Sequence, residues 1–465
     1  MSSGRGALGS ILLYGSSIAL VSASNFASVP ILLTLLGDKE FSTWALLEPA
    51  LLAAIPLAGL GIQIGLLRLI DGNSHDQNTI AALLPVHAAS ALCVGLATAV
   101  VTSLLGFDAY ICALLGAAVV LEGTISFFSS LWRAQGRPSR FAMVEGGRAA
   151  VLVAILSSMV WFGGHLSTVG TYFELRVGMA LLALFAALAI VRPHMAPSLS
   201  AAWSASRYGV PIVVASALSA LLIGADRYAV AFYEPEAISN YVAHMKLAQL
   251  VALVATAYFT WFGPVAIRIV NDEVHRSRGL LVNSTSVFLL TLLMVCANVF
   301  LVAPPTWSLL FPEVTFDQQL LAVHLAGTAM FAMGNPLSIG SLRAGHTYEA
   351  VIVALIAIAV GLIASFLLGG SFGVLGAAWG RMIGLATYLF VFAFITTRSL
   401  PISYPWLTYA IATATCIVVV SGLTIVIPGD GWYAAFARIA AANVLILPVY
   451  ASYVLAFMRR SNRTE

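Results

Sequence analysis

Charge is what this chain is shortest of. Only 9% of its 465 residues are Asp, Glu, Lys or Arg, against about 25% in ordinary soluble domains. With 60% of its residues apolar, the chain is not an ordinary soluble domain. Long polar stretches are missing too, and nothing between the apolar runs is large enough to fold alone in water. Cysteine is scarce. Cys93, Cys112, Cys296 and Cys416 stand singly in apolar runs without CxxC or Cys/His spacing, so they read as small hydrophobes in helices rather than a disulfide or metal framework. No cofactor motif is present, and no basic patch points to nucleic acid.

What is present is apolar sequence in lengths that cross a bilayer, which takes about 20 residues per helix. Fourteen spans are predicted, near 9–36, 43–70, 80–105, 110–132, 141–163, 169–191, 208–231, 240–269, 279–303, 320–341, 349–370, 372–395, 406–427 and 434–457. Polar or Gly/Pro-bearing breaks separate them, among them GDKEFS, DGNSHDQN, RAQGRPSR, FYEPEAIS and IPGDGWY; only GGSFG divides spans 11 and 12. The VSAS stretch at 21–24 resembles a signal-peptide cleavage region, but the apolar segment runs well past the 7–15 residues of a signal core, so it reads as span 1.

The 22 Lys and Arg sort by side. Fifteen fall in the tails and the even-to-odd loops, Lys39 alone lies opposite, and Arg148, Arg176, Arg227, Lys246, Arg381 and Arg438 lie within or at the edge of spans. By the positive-inside rule both termini are cytoplasmic. The opposite loops are acidic, with Asp38, Glu40, Asp108, Glu234, Glu236, Glu313, Asp317 and Asp430.

An internal repeat runs through the first twelve spans. Span 1 opens LLYG and span 7 SRYG; FSTW at 41 is followed by ISNY at 238, GLLRLI at 65 by VAIRIV at 265, SLWRAQGR at 130 by GSLRAGH at 340, and LRVG at 175 by WGRMIG at 379. Each unit has six spans, so the halves share one orientation. The expected domains are an N-lobe (1–191), a cytoplasmic linker (192–207), a C-lobe (208–395), and spans 13 and 14 with a basic tail (396–465). The fold class is therefore all-α and polytopic, with two six-helix lobes and a C-terminal helix pair.

Motifs on this outline resemble those of the O-antigen and polysaccharide flippases (Wzx-like) of the MOP exporter superfamily. YGVPIVVASALSALLIGADRYAVAFYEPEAISNYVAHMKLAQ is similar to their spans 7 and 8, GVLGAAWGR at 373–381 to their Gly-Ala-Ala element on span 12, and LLGDKEFSTWALLEPALLAAIPLAGLGIQIGLLR to their first outer loop and span 2. The resemblance implies a flippase of the bacterial inner membrane. Its substrate would be an undecaprenyl-diphosphate-linked glycan, an O-antigen, capsule or exopolysaccharide repeat unit, and it would work beside polysaccharide polymerase machinery. It places Asn25, Glu48, Asp226, Arg227, His244, Lys246 and Gln249 near the interface of the lobes. The related peptidoglycan-lipid flippases carry charges on span 1, where this chain offers Ser22, Ser24 and Asn25.

Charges inside spans cost roughly 2.5–3.5 kcal/mol each on the lenient insertion scale, and therefore mark candidate sites. For substrate binding these are Arg227, Arg381, Arg176, Arg148 and Lys246, to which the resemblance adds Asn25 and Gln249; for coupling, Glu122, Asp226 and Glu48. Each has a structural alternative. Arg227 would snorkel to the interface, Asp226 would bridge to Lys246, Glu145 and Arg148 would pair three residues apart, and Glu122 would be a carboxyl bonded to Ser or Thr. Arg381, the repeat counterpart of Arg176, lies too deep to snorkel. Two other classes compete with the flippase: a MATE-type drug or cation antiporter, which would prefer an acidic and aromatic cavity, and a polysaccharide polymerase or ligase. The enzymes carry a long outer catalytic loop, and here none exceeds about 16 residues, so no enzymatic role is expected.

Overall fold

The computed structural model describes residues 4–69, 77–191, 196–272, 274–339, 347–399 and 404–461. Most of the DGNSHDQN break, the GSLRAGH repeat element and residues 192–195 of the expected linker lie outside them. The described chain is helical: α1 (Gly4–Leu57), α2 (Ile62–Leu69), α3 (Gln77–Leu104), α4 (Ala109–Ala134), α5 (Pro138–Phe141), a π-turn (Ala142–Gly146), α6 (Gly147–Trp161), α7 (Val169–Val191), α8 (Leu199–Gly224) and α9 (Arg227–Tyr233). After a 3-10 turn (Pro235–Ala237) come α10 (Ile238–Asp272), α11 (Val274–Leu310), α12 (Gln318–Ser338), α13 (Thr347–Ser399), α14 (Trp406–Val426) and α15 (Trp432–Ser461).

Among the described residues, eleven stretches are long and apolar enough to cross a membrane. Two are double. α1 turns at Gly37 (φ 70°) and α13 at Gly373 (φ 59°), left-handed conformations that a Cβ disfavours, so each holds two helices. These turns fall in the GDKEFS and GGSFG breaks, and α10 occupies the place of the expected eighth span. Besides helix ends that run several residues past the expected ones, as α11 does against 279–303, two departures bear on the site. Span 2 is interrupted between Leu57 and Ile62. α8 starts at Leu199, where the Ser198 side chain accepts from the Ala201 N–H, so helix begins inside the stretch read as linker.

Contacts group the chain into two units, Met1–Tyr228 and Ala229–Glu465. In the first, Phe127, Phe128, Leu131 and Trp132 of α4 form a buried core with Ile62 and Leu66 of α2, Leu83 and Leu84 of α3, and Ala180 and Ala187 of α7. The first turn of the chain is fastened to α7: the Leu166 N–H donates to the Leu35 carbonyl, and Glu40 accepts from the Val169 N–H at 2.8 Å. α8, the seventh span, packs along α1, α2 and α3. The backbones meet closely there, since a Cβ on Gly61 would lie 2.3 Å from the carbonyl carbon of Gly209.

In the second unit α12 packs between α10 and α13. His244 of α10 is satisfied on both nitrogens, by the Asn240 carbonyl and by the Asp317 N–H, and lies against Trp307. It fastens α10 to the loop before α12. The last two helices pack on α11, where Ala297 and Leu301 meet Cys416, Val420 and Ala442.

Candidate functional site: buried arginines and their partners

In the first unit two arginines converge on one carboxylate. Glu122 on α4 is buried; the Arg176 guanidinium on α7 grips both its oxygens, Nε to Oε1 at 2.6 Å and Nη2 to Oε2 at 3.0 Å. Arg148 on α6 reaches the same Oε1 at 3.1 Å. Two parallel N–H donors on one carboxylate is the arrangement a planar guanidinium makes and an ammonium cannot. Tyr172, one turn before Arg176 on the same face, accepts from its Nη1 at 3.2 Å.

The π-turn after α5 brings in a second carboxylate. Glu145 lies inside it, accepts from the Ser129 hydroxyl of α4 and approaches Arg148 Nη2 at 3.5 Å. The expected Glu145–Arg148 pair therefore forms, but Arg148 is held more closely by Glu122. Glu122 in turn is bonded to arginines rather than to Ser or Thr; the hydroxyl goes to Glu145. Arg148 keeps one buried donor, Nε–H, that meets no acceptor among the described residues.

Arg227 is 2% exposed. It does not snorkel: Nη1 donates to the Ala45 carbonyl at 2.6 Å and to Glu48 at 2.8 Å. The neighbouring Tyr228 hydroxyl donates to the Leu46 carbonyl, so residues 227 and 228 are both tied to the second helix of α1. Asp226 is buried in the short break between α8 and α9. Asn25 is exposed on α1.

In the second unit Arg381 of α13 is buried and meets His324 of α12, Nη1 to Nδ1 at 3.0 Å. Arginine has only donors, so Nδ1 accepts and the ring proton sits on Nε2. Tyr241 of α10 packs edge-on to the ring, with centroids 4.7 Å apart. Lys246 is buried on α10, and Gln249 is half-buried one turn further along it. The sequence counterparts Arg176 and Arg381 thus each bond to the fourth span of their own repeat, one to a carboxylate and the other to an imidazole.

The sequence matches no family model and no curated protein. Solved structures do match. A lipid II flippase, MurJ, in an inward closed conformation aligns over 96% of this chain and 99% of its own at TM-score 0.69 and 11% identity. An inward-facing multidrug-resistance MATE transporter of the MOP superfamily aligns over 87% and 99% at 0.64 and 13%, and a point mutant of the Vibrio cholerae MATE transporter VcmN over 85% and 97% at 0.61 and 14%. The fold is that of the MOP superfamily membrane transporters. At these identities the fold is what is shared, and the neighbours in that fold are transporters.

Three participants are not among the residues expected from the sequence: Tyr172, Ser129 and His324. Tyr172 was readable from its four-residue spacing to Arg176. His324 was readable from the repeat, which sets it on the tenth span much as Glu122 sits on the fourth. Ser129 had no signal, because a hydroxyl in an apolar run is ordinary.

Proposed function

We propose that this protein is a flippase that moves a polyprenyl-diphosphate-linked oligosaccharide across the bacterial inner membrane by alternating access. The observation that carries the reading is the convergence of Arg148 and Arg176, from two helices, on the single Oε1 of Glu122, with the Arg148 Nε–H left over. Two guanidiniums around one anionic oxygen make a cradle of the kind a diphosphate requires, and planar donors suit phosphate oxygens. Both side chains stay 19% exposed, so the cradle is reachable at its edge. Arg227, Arg381 and Lys246 add cations in the spans, while Asn25 and Gln249 offer amides of the type sugars bind. Glu48, Glu122 and Asp226 remain the coupling candidates. A lipid II flippase among the structural neighbours supports this reading, in which the basic loops and both termini face the cytoplasm.

A deletion strain tests it. The proposal expects lipid-linked repeat units to accumulate on the cytoplasmic leaflet and the surface polysaccharide to be lost. Normal surface polysaccharide with altered sensitivity to cationic drugs would instead identify an antiporter.

A further inference from the structure

Span 2 is interrupted in mid-course. Its helix stops at Leu57 and resumes at Ile62, and the connection carries two positive φ angles, 45° at Leu60 and 80° at Gly61. A left-handed Leu is strained, and unwound backbone at membrane depth is tolerated where it is buried in protein or lines a cavity. Ala58 and Gly59 are buried. The carbonyls released by the break are taken up by side chains: Pro56 accepts from Gln63 Nε2 at 2.8 Å, and Ala58 from the Ser90 hydroxyl at 2.7 Å.

His87 of α3, 0% exposed, faces this break. Its Nε2 lies 2.9 Å from the Gly123 carbonyl of α4. A carbonyl only accepts, so Nε2 carries the proton and Nδ1 presents a lone pair. The Gln63 amide is oriented the same way by its bond to Pro56, which leaves Oε1 as an acceptor. Both atoms point at one spot: a Cβ on Gly59 would lie 2.4 Å from His87 Nδ1 and 2.3 Å from Gln63 Oε1. Both are buried, and neither has a hydrogen-bond partner among the described residues.

Two buried acceptors facing each other are costly, since each has given up water for nothing. One proton resolves both. We propose that His87 is a proton-binding site: Nδ1 takes a proton from the aqueous side that is open, and the imidazolium then donates from Nε2 to Gly123 and from Nδ1 to Gln63 Oε1. A metal cation fits less well, because hard cations gather several oxygens and the spot offers one amide oxygen and one ring nitrogen. Described charged groups on the packed elements have other partners: Arg133 on α4 donates to the Ser130 hydroxyl, and Glu40 on α1 accepts from the Val169 N–H. Glu122 on α4 is held by Arg176 and Arg148, Glu48 on α1 by Arg227, and Arg207 on α8 is exposed. The Phe127 ring of α4, 5.1 Å away, also packs on the imidazole. The new bond joins α3 to α2 across the break, so proton binding favours one geometry of span 2 over another.

What the proton is used for rests on the transporter reading; its binding does not. The test is the histidine nitrogen spectrum of the isotope-labelled full-length protein in lipid nanodiscs, with His87 assigned by its loss in His87→Gln. As pH is lowered between about 8 and 4, the range in which perturbed histidines titrate, His87 is expected to pass from the Nε2–H tautomer to the imidazolium. Gln63→Met should lower its proton affinity tenfold or more, and Gln63→Glu should raise it by at least as much. A wild-type His87 that stays neutral throughout, or a midpoint unmoved by both Gln63 variants, would overturn the proposal. Failure of the flippase reading would leave this titration unchanged.

Discussion

Glu122 holds two positive charges in place, and its removal is the sharpest single-residue test of the first unit. Glu122→Gln would leave Arg176 and Arg148 without their shared carboxylate, and breaking a buried pair from one side costs about 3–5 kcal/mol. The expected result is a strong fall in thermal midpoint and membrane abundance; an unchanged midpoint would show that the network bears no load. Arg176→Lys keeps the charge and loses the two-oxygen grip, so it should be only partly tolerated. The Arg227–Glu48 contact offers a different experiment. Arg227→Gln at a snorkelling position would cost little, but here the guanidinium is 2% exposed and bonded to Glu48 and a backbone carbonyl. Arg227→Met should therefore destabilise by about 3 kcal/mol, and Glu48→Leu added to it should recover most of the loss, because an apolar pair can replace a buried ion pair. Two additive losses in the thermal melts of single and double variants would contradict a direct pair. These charged residues were legible in the sequence because charge in a span is rare and expensive. Their partners were not. Glu122 and Arg176 stand 54 residues apart, and nothing in either segment announces the other.

At the scale of elements, the hairpin within α13 is the best-defined prediction. A Cβ on Gly380 would lie 2.2 Å from the backbone nitrogen of Ser365 and 2.6 Å from the carbonyl carbon of Ala364. No side chain can swing away from such a contact. Gly380→Ala should push the two halves of the hairpin apart and cost about 1–3 kcal/mol, the usual range for overpacking. Gly178→Ala on α7 meets nothing within 4 Å and should be neutral or stabilising by up to about 1 kcal/mol, as Ala is the better helix former. Equal melting temperatures for the two variants would refute the close approach. Elements were the most legible level, since apolar length sets a span and Gly37 and Gly373 marked the two sharp turns. The interruption of span 2 is hidden in the sequence. PLAGLG holds the Pro and two Gly of a break, but no polar residue accompanies them, so the apolar run reads through. The early start of α8 was hidden for the converse reason. SLSAAWSAS has a good cap in Ser198 and helix-forming alanines, yet too little hydrophobicity to count as span.

For the whole molecule, the sorting of Lys and Arg predicts which loops face which side. Cysteines placed at 235 and 430 should react in intact cells with a reagent that does not cross the membrane, while those at 137, 276 and 460 should stay protected until the cells are opened. Labelling at 276 but not at 235 would invert the topology. The repeat is read from motifs that recur in the same order. How the contacts divide was not: α8 opens the second repeat by sequence, yet it packs on α1 and α2 within the first unit. The flippase account meets its most direct test in vesicles. The purified full-length protein is reconstituted with a polyprenyl-diphosphate-linked oligosaccharide carrying a fluorescent label, and transfer of the label between leaflets is followed with an impermeant quencher. The account predicts transfer by the wild type and its loss in Arg148→Ala at equal protein level, with Arg148→Lys recovering only part. No transfer by the wild type, in vesicles where the same protein extrudes a cationic dye, would contradict it.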